Sequence, residues 1–177
     1  MESDFPQELE TILNLPGNNK CFDCGKSNPK WAGINYGILL CLECCGKHRA
    51  LGTHISFIRS LELDKWKKNH VDLMIHGGNE KATEFFTSHD ICNLPINDKY
   101  NHPYASLYSS NLFEEVGIEV PPYIKENSKK DPTITKCYQK TEETQNNQNQ
   151  NNKDENNDED NLLFGCLKTV FSYIFGK

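Results

Sequence analysis

Apolar positions recur with helical spacing at the start of the chain. Phe5, Leu9, Ile12 and Leu13 fall on one face, Ser3 or Asp4 can cap it, and Pro6 suits its first turn. Pro16-Gly17 stops that helix. Trp31 to Tyr36 and Ile55 to Leu63 instead alternate and carry β-branched and aromatic residues, which predicts strands. Between them a short helix is predicted from about Leu42 to Leu51, ending at Gly52. Asp64 is placed to cap a helix running to roughly Ile75, with Gly77-Gly78 as its stop. Asn79 to Ser88, with Phe85 and Phe86, predicts another. Asn101 to Val116 puts Tyr104, Leu107, Tyr108 and Leu112 on one stripe, and Gly117 and Pro121-Pro122 close the domain. The expected class is α+β: a small, mostly helical domain with a short antiparallel sheet.

The pattern then stops. Lys140 to Asn161 reads KTEETQNNQNQNNKDENNDEDN, with no apolar side chain. Such a segment buries too little surface to offset its ordering entropy, which predicts disorder. Apolar residues return in NLLFGCLKTVFSYIFGK. Placed on a helix, Gly165, Lys168, Thr169, Ser172 and Gly176 form a narrow polar stripe and bulky residues cover the rest. The segment is shorter than the roughly 20 apolar residues of a comfortable membrane span, so it is expected to lie in a membrane surface or to dock on the domain as a core helix. Cys166 is a candidate acylation site. The expected organisation is a folded domain over 1–125, a polar linker over 126–161 and an amphipathic tail helix over 162–177.

Composition adds to this picture locally. The hydrophobic fraction of 36% is low because of the linker. The net charge of -6 conceals a basic stretch between Lys20 and His70, with nine positive against four negative side chains. That surface suits an acidic partner or is a solvated lysine face. The acidic start MESDFPQELE lacks an apolar signal region, so a cytoplasmic, reducing location is the expectation.

In that setting paired cysteines point to metal. Cys21-x-x-Cys24, sixteen residues, then Cys41-x-x-Cys44 is the spacing of two zinc knuckles. Four thiolates would fill the coordination shell of one structural Zn²⁺ and leave no position for water, so Lewis-acid chemistry is not expected there. Cys45 breaks the spacing and reads as a spare thiol. His48 and His54 read as hydrogen-bonding core residues. No Gly-rich phosphate loop is present, so the chain should not hydrolyse nucleotide alone. A nucleic-acid-binding zinc module is the rival reading. Against it, HRALGTHISF follows the second knuckle where a dense basic segment would be needed, and the linker is acidic.

The residues around the knuckles are more specific than the spacing. The run CxxC-x16-CxxC-x4-R, Trp31, NYGI at Asn35 to Ile38, HRALGTHIS at His48 to Ser56, IRSLELDKW at Ile58 to Trp66, GGN at Gly77 to Asn79 and KYN at Lys99 to Asn101 resembles the catalytic zinc finger of Arf GTPase-activating proteins. The resemblance spans about residues 5 to 120. It implies stimulation of GTP hydrolysis by a GTP-bound Arf-type small GTPase, with Arg49 as the arginine finger and one zinc on Cys21, Cys24, Cys41 and Cys44. A catalytically silent module of the same fold is the alternative within the family. Trp31 is the family's structurally important tryptophan, expected to pack beside the finger. Arg59 is expected to meet an acidic GTPase surface or to pair within the fold near Glu62 or Asp64. Gly33 and Cys45 stand where small serines are usual. The resemblance also implies peripheral recruitment to Golgi or vesicle membranes, which the tail at 162–177 would serve.

Overall fold

The computed structural model describes residues 6–130. The expected tail helix, nearly all of the expected linker, and the Ser3 or Asp4 cap lie outside the described residues. The first compact unit runs Met1–Ser128; the second, Lys129–Lys177, lies almost wholly outside them.

The first helix, α1, runs Pro6–Asn14 and buries Leu9 and Ile12. Three short strands follow: β1 (Trp31–Gly33), β2 (Ile38–Leu40) and β3 (Ile58–Ser60). They form an antiparallel sheet in the order β2-β1-β3, with Ala32 opposite Leu39 on one side and Arg59 on the other. The expected strand through Tyr36 ends at Gly33, and Ile34–Tyr36 is a 3-10 turn. Gly37 closes it with φ of 60°, where its backbone meets Gly77; a Cβ on Gly37 would sit 2.8 Å from the Gly77 Cα. That close approach lets Gly78 N–H reach the Gly37 carbonyl at 2.8 Å. The strand β2 was not foreseen: three consecutive buried aliphatics offer no alternation to read.

The helix α2 covers Leu42–Leu51 and stops at Gly52, as the pattern predicts. The expected Asp64 cap is displaced. Asp64 accepts from Ser60 N–H at 2.7 Å, and Ser60 Oγ accepts from the Glu62 and Leu63 N–H groups. These local side-chain bonds hold a turn, and α3 starts later, at Lys68–His76. The helix α4 is Asn79–Ser88. The helix expected over Asn101 to Val116 is α6 (Pro103–Val116), starting two residues later, and an unexpected short helix, α5 (Ile96–Asn101), precedes it. Pro103 disfavours helical backbone at His102, which is extended at ψ of 140°. Pro121-Pro122 does not close the domain either. Pro122 begins α7 (Pro122–Ser128), which packs on α6, runs past Lys125 and buries Ile124, Asn127 and Ser128.

One apolar core joins the sheet to the helices, with Tyr36, Ile38, Leu39, Leu40, Met74, Phe86 and Leu112 fully buried. Asn79 ties the segment entering the first cysteine pair to this core. Its Nδ2 donates to the Lys20 carbonyl at 2.6 Å and its Oδ1 accepts from Leu39 N–H at 2.8 Å. No helix among the described residues is long and apolar enough to cross a membrane.

Candidate functional site

The two CxxC pairs meet at one point. The loop after Lys20 turns back on itself, with Cys21 N–H donating to Lys26 at 2.7 Å and Gly25 N–H to Cys21 at 2.9 Å. Gly25 takes φ of 72°, which a glycine adopts without strain. Cys41 is the N-cap of α2, so Cys44 lies one turn along the same face. The sulfurs of Cys21, Cys24, Cys41 and Cys44 all lie within 4.8 Å of one another, with Cys24 and Cys41 at 3.5 Å. A tetrahedral ion with bonds of about 2.3 Å spaces its sulfurs about 3.8 Å apart, which this cluster brackets. The described cysteines are all unbridged. Burial, and then the charge of Cys21, push the Cys44 thiol far up, so four free thiolates do not coexist here. A bound cation reverses that balance. The donor set therefore fits a metal ion.

The helix α2 buries Cys44, Cys45 and His48, and the next residue, Arg49, faces solvent. The Arg49 guanidinium carbon lies 4.6 Å from the centroid of the half-buried Trp31 ring. Among the described residues no carboxylate lies within ion-pair distance of Arg49. Arg59 behaves differently. Its Nη1 lies 3.6 Å from Asp64 Oδ1, its guanidinium stacks on Phe57 at 4.6 Å, and its Nε is buried without a partner. The intramolecular pair expected for Arg59 is present, with Asp64 as its carboxylate.

Behind α2 lies a polar cluster that the sequence reading did not contain. Asp23, inside the first CxxC pair, has a side chain only 2% exposed. Its Oδ2 accepts from His48 Nε2 at 2.8 Å; its Oδ1 accepts from Lys99 Nζ at 2.9 Å and Tyr100 O–H at 3.0 Å. A carboxylate only accepts, so the His48 proton sits on Nε2. His48 Nδ1 lies 2.7 Å from Ser56 Oγ. Burial pushes Asp23 up, but the His48 hydrogen bond and the neighbouring positive charge outweigh it and hold the carboxyl below 3.8. Lys99 sits 76 positions along the chain from Asp23, so no local pattern links them. The reading of His48 as a hydrogen-bonding core residue was the hint the sequence offered.

The family model ArfGap, "Putative GTPase activating protein for Arf", matches residues 6–117. The chain belongs to the ArfGap family. It is 43% identical over 113 residues to the ADP-ribosylation factor GTPase-activating protein GCS1 of Saccharomyces cerevisiae, covering 63% of this chain and 32% of that protein. It is 47% identical over 112 residues to the ADP-ribosylation factor GTPase-activating protein 3 of Mus musculus, covering 63% of this chain and 21% of that protein. The chain thus matches about a third or less of the length of these relatives. The crystal structure of a "putative GTPase activating protein for ADP ribosylation factor" from Cryptosporidium parvum superposes with a TM-score of 0.53 at 32% identity, covering 62% of this chain and 89% of that one. The ArfGap match contains the four cysteines, Trp31, Arg49 and the Asp23 cluster, and stops short of α7.

Proposed function

We propose that this ArfGap domain stimulates GTP hydrolysis by a GTP-bound Arf-type small GTPase, with Arg49 supplied as the catalytic finger. The supporting observation is a solvent-facing guanidinium with no carboxylate partner among the described residues, stacked on Trp31 and carried by the helix that presents Cys41 and Cys44. Hydrolysis spreads negative charge over the transferring phosphoryl oxygens. A guanidinium stays protonated and offers planar paired donors to that charge, which an ammonium cannot. The chain contributes no nucleophile: the GTPase holds the nucleotide and positions the water. Trp31 limits the orientations Arg49 samples before docking, which reduces the ordering cost of the encounter.

Zinc is the metal this donor set favours, held by Cys21, Cys24, Cys41 and Cys44. Four thiolates saturate it, so it supplies structure and not Lewis acidity. The residues at 162–177 would bring the domain to a membrane surface, since a segment this apolar, with two lysines, inserts mainly by burial and not by charge. Recruitment from the cytoplasm to Golgi or vesicle membranes follows from that reading. The deciding experiment is a single-turnover hydrolysis assay with a GTP-loaded Arf-type GTPase, comparing the wild-type domain with Arg49→Lys. Equal rates would reject the finger.

A further inference from the structure

The finger helix is anchored at two points, and only one of them is the metal cluster. At its start, Cys41 and Cys44 belong to the sulfur cluster. Arg49 lies five positions beyond Cys44, about 7.5 Å along the axis at about 1.5 Å per residue. An anchor at one end leaves the far turn free to tilt and to rotate. In the last turn of α2 Leu51 packs half-buried against the core, and the one fully enclosed side chain is His48. The imidazole is fully enclosed and bonded on both nitrogens, to Asp23 from the first knuckle and to Ser56 from the segment before β3. Asp23 is in turn bonded by Lys99 and Tyr100 of α5, and the Tyr100 ring lies 4.3 Å from the His48 ring.

Directional bonds define an angle where an apolar contact does not. A buried ion pair such as Asp23–Lys99 is weak evidence for stability, because apolar residues of similar volume often serve as well. What hydrophobic packing cannot supply is a fixed azimuth for His48. Successive helix residues are offset by about 100°, so fixing the His48 direction fixes the direction in which Arg49 leaves the helix.

We infer that Asp23, His48, Ser56, Lys99 and Tyr100 form a positioning relay that sets the orientation of Arg49 against Trp31 from the far side of α2. This rests on the arginine-finger reading, and it makes α5 part of the catalytic apparatus without touching the partner's nucleotide. Lys99 is a positioning residue: Lys99→Met removes its bonds to Asp23 while keeping most of its volume, and it alters no cysteine.

The chain has two arginines, Arg49 and Arg59, so its side-chain Nε–Hε spectrum holds two signals. Both lie over rings, Arg49 over Trp31 and Arg59 over Phe57, and the second serves as an internal control. In zinc-loaded Lys99→Met the Arg49 signal should lose its ring-current displacement while the Arg59 signal stays. Stimulated kcat per zinc-loaded molecule should fall about tenfold or more, with KM within about twofold, and Lys99→Arg should recover part of it. Unmoved Arg49 signals together with unchanged kcat would overturn the relay. Should Lys99→Met not fold, Ser56→Ala and Tyr100→Phe each delete one bond. A displaced Arg49 signal in either upholds the relay, and two unaltered spectra reject it. Arg49→Lys in the same assay separates the two claims. A normal rate there would remove the finger reading, while a displaced Arg49 signal in Lys99→Met would still uphold the coupling.

Discussion

The Arg49 guanidinium rests on the face of Trp31, 4.6 Å from the ring centroid, with β1 beneath the ring and α2 behind the arginine. The contact joins the strand between the two cysteine pairs to the helix that carries the second. A cation held over an indole in a partly exposed setting contributes about 0.5–2 kcal/mol. That is too little to hold the domain together and enough to bias one side chain.

Two substitutions separate charge from orientation. Arg49→Lys keeps the charge and loses the fork, and should lower stimulated hydrolysis by about 10³-fold or more, the range set by inserted arginines in other GTPases. Trp31→Ala keeps the fork and loses the platform, and should cost about tenfold, mainly in kcat. Single-turnover rates at saturating domain concentration read both. Equal losses for the two would argue against a platform role for Trp31.

Metal content should be one zinc per chain. Structural zinc sites contribute on the order of 10 kcal/mol to folding, comparable with the whole stability of a domain. Cys24→Ala should therefore unfold the finger and abolish stimulation together, and a strong chelator should lower the thermal midpoint of the wild type. Elemental analysis of the folded protein that finds no zinc would contradict this.

What could be read beforehand follows from how local each signal is. The limits of α2 and α4 were legible because a knuckle, a glycine stop and an amphipathic stripe each lie within about ten residues. The four-cysteine cluster was legible for the same reason. The start of α3 was misread because Asp64 has the chemistry of a cap and spends it on the Ser60 turn. The two-residue shift at the start of α6 was available in His102-Pro103, and α5, at six residues, is too short to show a stripe. Of the Asp23 cluster only His48 was read as a hydrogen-bonding core residue; its partners lie on the first knuckle and α5, too far along the chain for a local pattern to link them.

The helix α7 lies past the ArfGap match and should still be needed for stability. Ile124 is 1% exposed, Asn127 donates to Ser106 Oγ at 2.7 Å, and the Tyr123 ring meets His54 at 4.8 Å. Ile124→Ala should cost about 2–5 kcal/mol. A protein ended at Val120 should melt lower than one ended at Lys130, and denaturant titrations of the two measure the difference. Identical midpoints would make α7 an accessory.

Removal of 162–177 should abolish flotation with highly curved liposomes and leave stimulation of a GTPase in solution intact. Placed on a helix, that segment would carry Leu162, Leu163, Phe164, Leu167, Val170, Phe171, Ile174 and Phe175 on its apolar face, and its only basic residues are Lys168 and Lys177. Binding should accordingly change little between neutral and anionic vesicles. Strong dependence on anionic lipid would point to the basic stretch between Lys20 and His70 as the membrane contact. A drop in the melting temperature of the domain on truncation would favour the docked-helix alternative.

Acid should destabilise the domain partly through His70. Burial first, then the positive charges of Arg59 and Lys67, hold its imidazole below 6.5. The rings of Phe57 and Trp66 lie 5.4 and 6.3 Å away and offer no carboxylate. Its Nδ1 accepts from Lys67 N–H at 3.3 Å at the start of α3, a bond only the unprotonated nitrogen can make. The unfolded chain therefore takes up this proton at a higher pH than the folded one. Stability from His70 is complete above 6.5 and is lost as pH falls from there through the lower folded value. His70→Gln can still accept at the same helix position and does not titrate. Urea midpoints measured between about pH 7.5 and pH 5 should fall less steeply for His70→Gln than for the wild type, since the proton uptake assigned to His70 is gone. The difference between the two slopes is the informative quantity, because protonation of the cysteine ligands lowers both curves alike. Parallel curves would mean that His70 titrates in the folded state as it does in the unfolded one.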